Sequence, residues 1–245
     1  MSLPKIDKPI YEVYLKSLDK KIRFRPFTVK EEKLLLMAGE SSDEKELTAA
    51  IKQITNNCAL DPVDTDTLPI FDLEMFFIHL RARSVGEVAV IRLICDNTVT
   101  TDDGAVLKCG FITDVDYNVL EAQYKIQDKH TNLIKLNETV AIKMKYPDLD
   151  MIKKLNYENE SDDDFLKFII LNIDSIIDGE EIIDPQSVPQ EELLEFIENL
   201  SRYQVYQISE FFTTTPKVVG NIKYTCAKCG YNHDIELEGI QNFFE

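Results

Sequence analysis

The chain has 245 residues and a mass of 28.2 kDa, enough for one large domain or two small ones. Apolar residues make up 44%, with 13 Phe and 10 Tyr, so a sizeable core is available and disorder is excluded as the default state. A net charge of −17, from 27 Lys+Arg against 44 Asp+Glu, sets the surface against phosphate backbones.

That charge is uneven: residues 1–33 carry a net +4, leaving −21 for the rest. The basic segment reads as a solvated hairpin face, with a docking strip for an acidic partner as the functional alternative. Residues 1–16 hold no apolar core of signal-peptide length. No apolar run approaches the roughly 20 residues of a membrane span. Five cysteines without a secretion signal point to a reducing compartment, where clustered thiols bind metal more often than they form disulfides.

Tyr11, Val13 and Leu15 alternate with polar residues, as do Ile22 and Phe24 with Arg23 and Arg25, which predicts a β-hairpin over 10–27 turning near Asp19. Thr28 to Glu31 is a capping box opening a helix with Leu34, Leu35 and Ala38 on its inner stripe. A second helix is expected from Asp43, with Cys58 as a core thiol. A third is expected to be capped by Asp72 and to run to about Arg83. A strand follows over Val88 to Ile94, and a further one leaves Cys109-Gly110. Residues 126–146 read as β structure. Segments 163–177, 189–200 and 202–213 have helical spacing, and Ser187 to Gln190 is a second capping box. Ile222 to Cys226 returns to strand.

Two cysteine segments repeat each other. Ile91 to Cys95, then Lys108-Cys109-Gly110-Phe111 with Asp114, Val115 and Asp116, matches Ile222 to Cys226, then Lys228-Cys229-Gly230-Tyr231 with Asp234, Ile235 and Glu236. Leu120 and Ile240 also correspond. Two residues separate the later cysteines and thirteen the earlier ones, the excess reading as a loop inserted at the knuckle tip around Asp102-Asp103-Gly104. Strand, Cys, tight turn, Cys-Gly, strand is half of a zinc ribbon, and two halves complete a tetrahedral site. Cys95, Cys109, Cys226 and Cys229 are therefore the expected ligands of one structural Zn²⁺. The alternatives are a metal held by the C-terminal pair alone, between subunits, or an iron–sulfur cluster. His233 is the one conceivable substitute ligand.

No catalytic machinery is legible. His79, His130 and His233 are scattered, and no nucleophile elbow, phosphate loop or dinucleotide fingerprint occurs. The Ser161 to Asp164 run reads as a helix N-terminus. One member of each aromatic pair, Phe76-Phe77, Phe211-Phe212 and Phe243-Phe244, is a candidate for facing outward.

The block Ile22 to Leu35, the run Leu80-Arg81-Ala82-Arg83-Ser84-Val85-Gly86-Glu87, the two Cys-Gly knuckles and the stretch from Ile208 to Pro216 together resemble the baseplate hub assembly proteins of T-even-like contractile-tailed bacteriophages. The resemblance spans nearly the whole chain. It implies a late, non-enzymatic morphogenesis protein of the infected bacterial cytoplasm or of the virion baseplate, with phage hub proteins as partners; charge and hydropathy add the expectation of no nucleic-acid partner and no membrane span. The expected architecture is α+β. It has an N-terminal hairpin and helical region over 1–87 and a zinc-ribbon-like β module over 88–125 plus 217–245. Between the two halves of that module lies a mainly helical, acidic region over 126–216. The competing function is a nucleic-acid-binding zinc-ribbon regulator, which the acids on both knuckle strands disfavour.

Overall fold

The computed structural model describes residues 6–40, 44–101, 104–148, 151 and 162–239. Asp43, Asp102, Asp103, Ser161, Ile240, Phe243 and Phe244, on which several sequence expectations fall, lie outside them. The architecture is α+β: six α-helices and five small antiparallel sheets among the described residues. The chain divides into two compact units. One comprises Met1–Thr65, Phe71–Lys125 and Lys217–Glu245, the other Asp66–Ile70 and Ile126–Pro216.

In the first unit, β1 (Tyr11–Leu15) and β2 (Lys20–Phe24) form the expected hairpin. Val13, Leu15, Ile22 and Phe24 point inward and are almost wholly buried, as alternation dictates. Asp19 holds a left-handed φ of 47° at the turn. Helices α1 (Val29–Glu40), α2 (Glu44–Cys58) and α3 (Ile70–Ser84) follow. α3 is apolar nearly all round and buried accordingly. Phe76 and Phe77 are both inside, so neither faces outward. Phe76 meets Phe24 edge-on at 5.5 Å.

Asp72 does not cap α3, which begins two residues earlier. Its fully buried carboxylate instead accepts the backbone N–H groups of Lys16 (2.9 Å) and Ser17 (2.7 Å) and the Tyr124 hydroxyl (2.5 Å). It thereby satisfies the hairpin turn from beneath, each charge-assisted bond contributing roughly 1.5–3 kcal/mol. Glu31 does reach back to the Thr28 N–H (2.7 Å), and it also takes a bidentate pair from Arg25 (2.7 and 3.0 Å).

β3 (Val88–Ile94) pairs with β6 (Ile112–Asn118). Between them, β4 (Thr98–Thr100) and β5 (Val106–Lys108) make a small hairpin where a loop was expected. β7 (Gln123–Lys125), β12 (Lys217–Thr225) and β13 (Asn232–Glu238) form a sheet in the order β13-β12-β7.

The second unit carries β8 (Leu133–Lys135), β9 (Val140–Met144), β10 (Ile173–Asp178) and β11 (Glu181–Ile183), ordered β11-β10-β9-β8. Helices α4 (Asp162–Leu171), α5 (Gln190–Glu198) and α6 (Arg202–Thr213) belong to it. Ile142, Met144, Ile169, Ile173, Ile208 and Phe211 lie at its core. The helix expected over 163–177 stops at Leu171. Buried Asn172 closes it, its side-chain amide donating to the Phe168 carbonyl (2.8 Å), and Ile173 to Asp178 pair with β9. Ile169, Ile173 and Ile176 have helical spacing, and Ile173 and Ile176 are both buried in the strand because its register against β9 shifts between Ile173 and Ser175. The capping box at Ser187 is also absent: Pro189 stands at the N-cap of α5, and the Ser187 hydroxyl donates to the Asp184 carbonyl.

Candidate metal centre

Each cysteine pair sits at the root of a two-stranded ribbon. Cys95 follows β3, and Cys109-Gly110 leads into β6; Cys226 follows β12, and Cys229-Gly230 leads into β13. The backbone closes the same way in both. Cys95 N–H donates to the Phe111 carbonyl (2.9 Å), and Gly110 N–H donates to the Cys95 carbonyl (2.9 Å). Cys226 N–H donates to the Tyr231 carbonyl (2.8 Å), and Gly230 N–H to the Cys226 carbonyl (2.8 Å). Gly110 (φ 61°) and Gly230 (φ 72°) occupy the left-handed region, where a side chain is strained. The thirteen-residue first knuckle is thus the two-residue knuckle with the β4–β5 hairpin let into it. Cys109 N–H donates to the Asn97 carbonyl (2.7 Å) across the hairpin's base.

The four sulfurs converge. All lie within 4.8 Å of one another, with Cys95–Cys229 at 3.6 Å and Cys109–Cys226 at 3.8 Å. A Zn–S bond of about 2.3 Å in a tetrahedron requires S···S edges of about 3.8 Å, so the cage suits a tetrahedral thiophilic ion. Cys95, Cys109 and Cys226 are buried and Cys229 half-buried. Val99 and Cys229 are the partly buried hydrophobic side chains packed against the three buried sulfurs. One valine and four sulfurs are a poor hydrophobic core, and four sulfurs this close could hold a metal ion, whose binding energy would be folding energy.

The thiols are not equivalent. Burial pushes Cys95 up to about 12. Cys109 is also raised, burial and neighbouring thiols outweighing the downward pull of the Phe111 N–H. Cys229 is drawn down to about 6, chiefly by the Tyr231 N–H and further by the Asn97 amide, whose Nδ2 lies 3.6 Å from the sulfur. Without a cation, Cys229 therefore ionises far more readily than Cys95 and Cys109. A divalent ion offsets the cost of ionising all of them.

Cys58 stands apart, fully buried at the end of α2. Burial raises it to about 11, and the Arg25 guanidinium donates to its sulfur at 3.4 Å. His79 lies on α3, and desolvation lowers its pKa. His130 belongs to the second unit, between Thr214 Oγ1 (2.9 Å) and Tyr146 Oη (3.0 Å). His233 is at the cage: buried, with Nε2 3.2 Å from Cys95 Sγ. Ligand spacing offers His233 as a substitute ligand and not as a neighbour of Cys95. The signal was the β13 alternation, which turns His233, Ile235 and Leu237 to the inner face.

Among the described residues no helix is long and apolar enough to cross a membrane. No curated protein and no solved structure matches the chain. A family model described as T4 bacteriophage base plate protein matches residues 8–245. The match runs through both cysteine knuckles and the segment between them, and the chain belongs to the T4 bacteriophage base plate protein family.

Proposed function

We propose that this is a non-enzymatic protein of baseplate hub and tail morphogenesis, built around a structural zinc ion and acting through protein–protein contacts. The observation that carries the reading is the baseplate family match over residues 8–245. Cys95, Cys109, Cys226 and Cys229 are the proposed zinc ligands, held by two ribbons in the manner of a zinc ribbon. Four protein sulfurs leave a tetrahedral ion no open position, which assigns the metal to folding rather than catalysis.

The surface supports a role in contacts. β3 carries apolar residues on both faces, interrupted on the outer one by the Arg92–Asp114 ion pair. Its inner residues Ala89 and Ile91 are buried, whereas Val88, Val90 and Ile94, with Ile112 of β6, are each more than half exposed. Tyr203 and Tyr206 on α6 are likewise exposed, and tyrosine is enriched at protein interfaces. The basic hairpin has less to offer an acidic partner: Arg23 is paired with Asp61, Arg25 with Glu31 and Lys21 with Glu12. Lysines of the sheet that carries the second knuckle are engaged too, Lys217 with Glu238, Lys223 with Asp234 and Lys125 with Glu236. That ladder presents little positive charge to a phosphate backbone.

A phage carrying a stop codon in this gene is expected to accumulate unjoined heads and tail parts without infectious particles, with rescue when the protein is supplied in trans. Normal plaques from the mutant on a non-suppressing host contradict the reading.

A further inference from the structure

We propose that His233 is a positioning residue of the cage, donating its Nε2–H to the Cys95 sulfur and so limiting how fast that ligand lets go of the metal. The inference rests on the zinc reading above and deepens it. Four residues past Cys229, His233 comes from the second knuckle's ribbon, yet its contact is with a sulfur of the first, Nε2 to Sγ at 3.2 Å. It is therefore a second tie between the halves, made without the ion. The ring is held in place for the task. It stacks on Tyr224 (centroids 4.6 Å apart, planes 8° apart) and takes an edge contact from Tyr231 (4.8 Å). Tyr224 is its cross-strand partner in the β12–β13 register. Nδ1 lies 3.6 Å from the exposed Asp96 carboxylate, beyond hydrogen-bond reach, so the ring's N–H is assigned to Nε2 by the sulfur, because a metal-bound thiolate can only accept.

A tetrathiolate around Zn²⁺ carries a net charge of −2, and its sulfurs are stabilised by N–H donors. Cys109 has the Phe111 N–H, Cys229 has the Tyr231 N–H and the Asn97 amide, and Cys95 has the Asn97 N–H. Cys95 is among the most buried of the four, where an under-stabilised thiolate is costliest. A side-chain donor clamped between aromatic rings is the outer-sphere support such a ligand calls for.

The test uses the full chain loaded with Zn²⁺ or Co²⁺, comparing wild type with His233→Phe, which keeps the ring stack and removes the donor, and His233→Gln, which restores an N–H near the Nε2 position. Zinc transfer to a chromogenic chelator is expected to quicken about 10–100-fold in the Phe variant and to stay within about threefold of wild type in the Gln variant. In the Co²⁺ form the sulfur-to-metal charge-transfer band moves to lower energy in Phe and returns in Gln, because a sulfur without its N–H is the better electron donor. A purely packing role for His233 would leave release at the wild-type rate in the Phe variant, quicken it in the Gln variant, and shift the band in neither. Wild-type release and an unshifted band in the Phe variant overturn the proposal while the zinc site stands. A wild-type chain that takes up neither metal overturns both. Should the Phe variant not fold, His233→Met, of similar length and without a donor, makes the same comparison against Gln.

Discussion

The five cysteines share one chemistry, and their surroundings give them different fates. Cys58 sits in ordinary core beside an arginine; the other four face one another. Cys226→Ser is expected to abolish stoichiometric zinc binding, whereas Cys58→Ala keeps one zinc per chain and costs about 1–2 kcal/mol of stability. Metal analysis beside urea denaturation of the two variants checks this, and zinc lost from the Cys58 variant would run against it. Another residue-scale consequence lies in the Arg25–Glu31 pair. The guanidinium, with the Thr28 donors, holds the Glu31 carboxyl down to about 2 from an ordinary 4.5. A depressed carboxylate adds stability above its unfolded pKa and loses it as pH falls through the folded one. Glu31 thus contributes on the order of 3 kcal/mol near neutrality, lost between about pH 4.5 and about pH 2. Urea midpoints should fall more steeply over that window for wild type than for Glu31→Gln; parallel curves would refute the assignment. The thiol set was legible because each knuckle is a local pattern repeated in register. Neither the turn support from Asp72 nor the Cys95 contact of His233 was, since both join residues far apart in sequence.

At the scale of elements, most helices and strands follow from periodicity. The exceptions are physical. Isoleucines at 169, 173 and 176 have helical spacing, and the strand accommodates the last two through a register shift against β9, which local sequence cannot see. The inserted residues of the first knuckle read as loop because β4 and β5 are three residues each, too short to show alternation. Their hairpin leaves the closure around Cys95 and Gly110 the same as that around Cys226 and Gly230. Replacing Asp96 to Lys108 by Ala-Lys, the pair found between Cys226 and Cys229, should therefore preserve the cage. One zinc per chain is the expected outcome, since shortening a loop alters closure entropy only slightly, with a lowered denaturation midpoint because Val99 and the Asn97 amide leave with the hairpin. Loss of zinc from this variant would show that the hairpin itself shapes the site.

For the molecule as a whole, the cage has a topological consequence. It fastens the middle of the chain to a ribbon that follows the second unit in sequence, so residues 126–216 are an excursion whose two ends return to one β assembly, β7 pairing with β12. Binding energy for a structural zinc, about 10–16 kcal/mol in small peptides, would be folding energy for that assembly. A baseplate protein with this dependence needs its metal before it can be incorporated. X-ray absorption at the zinc edge of the purified full-length chain, with the metal quantified per chain, addresses this most directly. The account predicts one zinc with four sulfur neighbours at about 2.3 Å. A chain that folds without bound metal, or a metal with fewer sulfurs and added oxygen or nitrogen ligands, would contradict it.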